Sequence, residues 1–241
     1  MNILALEFSS PQRSVAVVSV ATDSEPCAMG VDACACETGA PALRAGAFES
    51  EVIDTSRDQA MKPLGMVETA LRQAGLEREA IDCVTVGLGP GSYTGIRLAV
   101  SVAQGWQVAR GVNLLGISSA DCVAAQACAQ ELSGWCWVVI DAQREEFCLA
   151  GYELDDGCAR ATSPLRLATR REVQERERAG ELIIGPEVTR WFAGGRVVFP
   201  RATALGRLAG RRHDFVSGEK LDPIYLREVN FVKAPPPREI L

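Results

Sequence analysis

The order of elements along the chain predicts an α/β protein with a mixed sheet, arranged as two related halves. Three observations predict it. Two β-rich runs joined by a tight turn open the chain, strand-like and helical stretches alternate through its middle, and strands resume after a helix that follows Gly116–Ser119. We take Gly116 to Ser119 as the crossing point between the halves.

"NILALEFSS" and "SVAVVSV" carry Ile3, Leu4 and Leu6, then Val15, Val17, Val18 and Val20, about a Ser-Ser-Pro-Gln turn, the pattern of a hairpin that opens a sheet. From Ala21 to Gly46 small residues, Cys, Gly and Pro predominate with little periodicity, so a long loop or hairpin extension is expected. "AFESEVID" alternates charged and apolar residues as an edge strand does. Next, Leu64, Val67 and Leu71, with Met61 and Ala74 at a looser fit, line one helical stripe that Pro63 opens and Gly75 stops. "AIDCVTVGLG" reads as a buried strand that runs into "GPGSYTGIR", and an amphipathic helix follows, closed by Gly111. "NLLGIS" is a short strand. Ser118 and Ser119 can cap the Ala-rich helix after it.

In the second half, "CWVVIDA", "EEFCLAGYEL" and "RVVF" are strand candidates, and "RREVQERERAGE" is a solvated helix with i, i+4 pairs such as Glu172 and Arg176. The tail "DPIYLREVNFVKAPPPREIL" ends in prolines that can continue neither a helix nor a central strand, so it reads as a peptide lying over the surface. We set the halves at residues 1–112 and 113–241, with the last residues returning to the first half.

With 241 residues, 47% of them hydrophobic, the chain can bury a full core. Its 25 Lys and Arg against 31 Asp and Glu give a net charge of −6 and no broad basic footprint for nucleic acid, so any role with RNA is expected to run through a partner. The first ten residues carry no signal-peptide pattern, and nowhere do 18 apolar residues run unbroken; a cytoplasmic protein with no membrane role is expected. The nine cysteines lie mostly among apolar residues with no C-x-x-C pair, which points to buried thiols; Cys34 and Cys36 alone sit in a loop-like stretch.

The glycine-rich turn invites a phosphate-binding reading, and spacing opposes most versions of it. No lysine and hydroxyl follow a glycine as a G-x-x-x-x-G-K-[ST] loop requires. Gly89 and Gly91 supply the first pair of G-x-G-x-x-G, but Thr94 holds the third place and Gly95 comes one residue late. Ser92 is not in a G-x-S-x-G elbow, and the chain's single histidine, His213, lies among arginines. One histidine also rules out a two-histidine zinc site, so no metal is assigned. What remains is conformational: the glycines permit close backbone approach, Ser92 or Thr94 can cap the helix beginning near Ile96, and its first N–H groups could hold an anion with Arg97 nearby. Glu7 and Asp141 both end strands and could face one cleft around a hydrated Mg²⁺.

At "GLGPGSYTGIRLAVSVAQGWQVARGVNLLGISS" the sequence resembles the bacterial TsaB (YeaZ) family of tRNA threonylcarbamoyladenosine biosynthesis proteins. "ILALEFSS", "VVIDAQREEFCLAGYE" and "LDPIYLRE" extend the resemblance over nearly the whole chain, apart from residues 21–46. It implies an actin-like ATPase fold (ASKHA, RNase H-like) of two duplicated α/β halves. It further implies a noncatalytic subunit that pairs with a TsaD-like catalytic subunit and a TsaE-like ATPase, meets tRNA only through that complex, and leaves ATP or ADP and metal to its partners. The pairing surface it implies is the helix pair Met61–Ala74 and Ile96–Arg110, here represented by Leu64, Val67, Leu71, Ile96, Val100 and Ala103, a surface through which the free protein could also form homodimers. Glu7 stands where the family usually has Asp, which would blunt any residual phosphate-metal chemistry and leave Glu7 and Asp141 as vestigial acids, and Asp58 stands where a histidine is common, which would alter the partner contact. The competing expectation is an actin-fold phosphotransferase or ATPase that uses Glu7, Asp141, Mg²⁺ and the Gly89–Thr94 turn.

Overall fold

The computed structural model describes residues 1–20, 38–39, 48–55, 62–155 and 157–227. Cys27, Cys34, Cys36, Asp58, Met61 and the proline-rich tail lie outside the described residues.

The first sheet is built from β1 (Asn2–Glu7), β2 (Arg13–Ser19), β4 (Glu49–Asp54), β5 (Cys83–Gly87) and β6 (Asn113–Ile117), in the order β4-β2-β1-β5-β6. β1–β2 and β2–β4 pair antiparallel, whereas β1–β5 and β5–β6 pair parallel. The second sheet contains β7 (Gly134–Asp141), β8 (Glu146–Asp155), β9 (Cys158–Thr169), β10 (Leu182–Gly185) and β11 (Arg196–Val197), in the order β11-β10-β7-β8-β9, with the short β3 (Thr38–Gly39) added at the β9 edge. Its pairings repeat those of the first sheet, antiparallel for β7–β8 and β8–β9 and parallel for β7–β10 and β10–β11. Two copies of one five-stranded topology therefore make up the chain, the duplicated α/β arrangement of the actin-like fold. β6, placed by its sequence beyond residue 112, is hydrogen-bonded into the first sheet.

The helices repeat as well. α1 (Pro63–Ala74) follows the third strand of the first sheet and α4 (Arg170–Arg178) the third of the second, while α3 (Ser119–Ala129) and α5 (Ala202–Ala209) follow the two fifth strands. After the fourth strands the copies diverge: the first has α2 (Tyr93–Arg110), of 18 residues, and the second only a 3-10 turn, Val188–Arg190. Local signals set these boundaries. Pro63 opens α1, Gly75 ends it in the left-handed region, Ser118 caps α3 by accepting from Ala120 N–H, and Thr169 caps α4 by accepting from Glu172 N–H.

Helices cover both faces of the first sheet. α1 and α2 lay Val67, Ala70, Leu71, Ile96, Ala99, Val100 and Ala103 against Leu4, Leu6, Val15, Val17, Val84 and Val86. α5, from the second half of the chain, brings Ala202, Leu205 and Ala209 against Ile3, Ala5, Ala16 and Val18 on the opposite face, beside Cys122 and Ala125 of α3. α3 turns Val123, Ala124 and Ala127 toward the second sheet. Each fully buried Val or Leu side chain contributes about 1.5–3 kcal/mol, so the two sheets are held together through the α3–α5 layer. Of the described cysteines, Cys83, Cys122, Cys128, Cys136 and Cys148 are buried free thiols and Cys158 is half-buried. Burial pushes Cys83 and Cys136 up to about 12, which keeps them protonated and unreactive. No helix of the described residues is long and apolar enough to cross a membrane.

Candidate functional site

β1 and β5 run parallel and side by side, so the segments leaving their ends must pass each other at close range. The signature turn makes this possible. A Cβ at Gly91 would stand 2.1 Å from the Ser9 carbonyl oxygen, and one at Gly95 2.0 Å from that of Phe8. Only glycine lets the two backbones touch there. The contact is sealed by Ser92 N–H donating to Ser9 C=O at 2.7 Å. Ser92 also caps α2, accepting from Gly95 N–H at 3.3 Å, and the helix begins at Tyr93, three residues before the start the sequence suggests.

Glu7 lies beneath this turn, fully buried. One carboxylate oxygen accepts from Ser9 N–H at 2.8 Å and the other from the Ser119 hydroxyl at 3.0 Å. Ser119 Oγ in turn accepts from Gly89 N–H at 3.1 Å, and Ser119 N–H donates to Gly89 C=O at 2.8 Å. Burial raises the Glu7 pKa above its ordinary 4.5, with the Ser9 and Ser119 hydrogen bonds opposing.

A cleft of about 550 Å³ opens between the halves, lined by Ser9, Ser10, Arg13, Thr94, Asp141 and Gln143 among others. Asp141 is half-buried there and accepts from Gln143 N–H at 2.7 Å. The cleft thus holds Asp141 but not Glu7, and the two acids do not share it as the sequence suggests. Glu7 turns inward because its longer side chain reaches Ser119, and Gly87 leaves room for it. Gln143, Arg144 and Glu145 all have left-handed φ at the adjoining hairpin, a geometry costing of order 1–3 kcal/mol each that only surrounding contacts sustain. Arg227 supplies such contacts, donating to Ala142 C=O, Gln143 C=O and the Glu146 carboxylate. Among the described residues no group of three His, Cys, Asp or Glu could hold a metal ion.

The helix-pair residues separate by burial. Leu64 is 61% exposed, whereas Val67, Leu71, Ile96, Val100 and Ala103 lie at 7% or less, in the core beneath α1 and α2. The apolar stripe read from the sequence is the sheet-facing one, since a helix lying on a sheet buries its apolar face first. What the pair leaves open is a groove of about 290 Å³ bounded by Leu64, Gly105, Trp106 and Ala109, with Val67 at its floor. Ion pairs Arg78–Glu68 and Arg110–Glu79 stand near its rim. Val108, 89% exposed, stands one turn along α2 from Gly105. Residue-by-residue spacing missed Trp106 and Val108 and gave Ser119 only a capping role; the signal for Trp106 was its place at the edge of the buried stripe, seven residues after Ala99 and three after Ala103, and for Val108 a large apolar residue off that stripe.

A family model described as TsaD, tRNA N6-adenosine threonylcarbamoyltransferase, matches residues 54–225. The chain belongs to this family, in its TsaB (YeaZ) group. It is 25% identical over 208 residues to the TsaB of Haemophilus influenzae, covering 74% of this chain and 84% of that protein. It is 32% identical over 126 residues to an uncharacterized protein of Mycobacterium bovis, a match covering 49% of this chain and 57% of the relative's length. A solved Pseudomonas aeruginosa structure, described as an uncharacterized protein with similarity to peptidase YEAZ, superposes with a TM-score of 0.71 at 25% identity, over 94% of this chain and 99% of that one. The TsaB group and the actin-like fold thus meet in a chain whose two sheets share one topology.

Proposed function

We propose that this protein is a noncatalytic subunit of the machinery that forms N6-threonylcarbamoyladenosine at position 37 of tRNA, docking onto and activating a TsaD-like catalytic subunit. One observation carries the noncatalytic part: the acid that ends β1 is buried, has both oxygens engaged within the chain, and does not line the cleft. In an actin-like phosphotransferase that strand end would face the nucleotide's metal; here its carboxylate ties β1 to α3. In this reading ATP or ADP and metal belong to the partner subunits, a TsaE-like ATPase joins the complex, and tRNA meets this chain only within it. The net charge of −6 supports that indirect role. The groove around Leu64 and Trp106, apolar at its floor with charges near its rim, supports docking through α1 and α2, and a homodimer of the free chain would use the same face.

Reconstitution tests the reading. Modified tRNA should form with the TsaD-like and TsaE-like proteins when this chain is present and fall to background without it. A phosphotransferase is the second reading, favoured by the polar cleft with Asp141, Ser9, Ser10 and Thr94 on its walls. Magnesium-dependent nucleotide turnover by the purified chain alone, abolished by Asp141→Ala, would establish that reading and overturn the first.

A further inference from the structure

After α5 the chain doubles back over the first half and then crosses to the second. Val216 N–H donates to Leu114 C=O at 2.9 Å, and the Gly218 backbone bonds the side chains of Gln104 and Gln107 on α2, which sets Leu221 into the first core at 3% exposure. Ile224 N–H donates to Leu88 C=O at 2.9 Å, and the Tyr225 ring stands 5.7 Å from that of Tyr93. The next residue, Leu226, packs against the second core, and Arg227 donates to Ala142 C=O, Gln143 C=O and the Glu146 carboxylate. Ile224–Arg227 is thus a strap between the halves. Beneath it lies a cavity of about 320 Å³, lined by Pro90, Ile96, Cys148 and Leu167 among others, where the two halves leave the space between them unfilled.

A second tie joins the halves at α3. Ser119 is bonded to Glu7 at the end of β1, and two residues on Asp121 Oδ1 accepts from the Tyr152 hydroxyl of β8 at 2.6 Å. One helical turn is therefore fastened to both sheets.

We propose that the strap is a latch, and the first turn of α3 the pivot, of a hinge that sets the width of the cleft between the halves. The two ties differ as such a device requires. Glu7, Ser119 and Tyr152 are buried, so the pivot's hydrogen bonds lie in a dry interior where they are strongest. Along the strap, Tyr225 is 58% exposed and the Arg227–Glu146 pair has side chains 37% and 41% exposed, a setting in which an ion pair contributes little. Elements held by such exposed contacts are the ones that open locally while the core stays closed. Arg227 also grips the hairpin that places Asp141 and Gln143 on the cleft wall, where Gln143, Arg144 and Glu145 hold left-handed φ. Release of the latch therefore frees a strained wall of the cleft.

Hydrogen exchange of the wild-type chain tests the latch. The Ile224 amide should exchange at least about tenfold faster than those of Ser9 and Ser119 at the pivot, because local opening needs no global unfolding. Spin-label distance measurements test the hinge, with labels carried on p-acetylphenylalanine at exposed Glu77 of the first half and Thr189 of the second, so that no native thiol takes part. Leu226→Ala combined with Arg227→Ala should lengthen and broaden the Glu77–Thr189 distance distribution. A pair within the second half, Thr162 and Thr189, should keep its distance, which reports that the fold is kept. Ile224 exchange as slow as that of Ser9 and Ser119 would overturn the proposal, and this readout stands even if the double variant does not fold. An unmoved Glu77–Thr189 distance in the folded double variant would overturn it as well, since the halves would then keep their angle without the strap.

Discussion

The Ser119 hydroxyl donates to Oε2 of Glu7 at 3.0 Å, joining residues 112 apart in the sequence. Because Ser119 opens α3 and Glu7 closes β1, one buried carboxylate fixes the first sheet against the start of the helix that leads to the second. Gly89 N–H, donating to Ser119 Oγ, draws the signature turn into the same network. In a dry interior each of these bonds is stronger than in water, and loss of any partner leaves another unsatisfied.

The network sets a pH dependence. Burial holds the Glu7 carboxyl above 4.5, so the folded chain binds its proton more tightly than the unfolded chain does. Stability from this group is therefore fully present below pH 4.5 and lost as pH rises through the folded value. Glu7→Gln removes the titration while keeping the size of the side chain. The difference in unfolding free energy between wild type and variant should shift in the variant's favour from pH 4 to pH 8, as measured by urea denaturation; a difference flat with pH would show that Glu7 titrates normally.

Glu7 and Gly87 are coupled by space. A Cβ at residue 87 would stand 2.0 Å from Glu7 Oε2, so Gly87→Ala cannot be accepted beside a glutamate. Overpacking of this kind costs about 1–3 kcal/mol. In the shorter Glu7→Asp background the same Gly87→Ala change should cost less, with a coupling of at least about 0.5 kcal/mol. Additive losses in a double-mutant cycle would show that the two side chains do not compete for one space.

Arg207 of α5 grips Glu49 of the edge strand β4 through two parallel N–H···O bonds, with side chains only 24% and 14% exposed. Its neighbour Arg201 does the same to Glu51. These forks clamp the last helix of the second half onto the first sheet. Arg207→Met leaves a largely buried carboxylate without its partner and should cost about 1–3 kcal/mol, and the added change Glu49→Gln should recover part of it. Thermal melts of the two variants separate a clamp from a surface pair, for which both changes would fall within about 0.5 kcal/mol.

What could be read from the sequence follows from how each element is buried. β1, β2 and β5 are sunk on both faces and show it as apolar runs, while α2 and α3 carry their own caps and stops. β9 is legible to no periodicity rule, because as an outer strand it exposes Arg160, Ala161 and Thr162 in a row and contains Pro164. α5 has eight residues with a glycine inside; a Cβ at Gly206 would meet Val18 at 2.5 Å, so closeness to the sheet overrides helix propensity. The site was half legible. Spacing excluded the phosphate-loop readings of the turn, but a strand-end acid looks the same in sequence whether it faces a cleft or, like Glu7, the interior. A helical stripe likewise does not say whether a partner or the chain's own sheet covers it.

That ambiguity decides which substitution tests docking. Val100 lies in the core beneath α2 and is 7% exposed, so Val100→Asp buries an unpaired charge among Leu4, Val84 and Val86 and should cost more than about 3 kcal/mol, unfolding the chain rather than freeing a partner. Val108 is 89% exposed on the same helix, and Val108→Asp should change folding stability by less than about 0.5 kcal/mol. If the partner covers that flank of α2, the new carboxylate is desolvated without a cation and affinity falls at least tenfold, about 1.4 kcal/mol. Leu64→Asp, across the groove from Gly105 and Ala109, should act in the same direction. Native mass spectrometry with the TsaD-like protein, alongside thermal melts of the free variants, reads both quantities at once. A complex untouched by Val108→Asp and Leu64→Asp would place docking on another face, since no other exposed large apolar side chains of α1 and α2 remain there besides Tyr93.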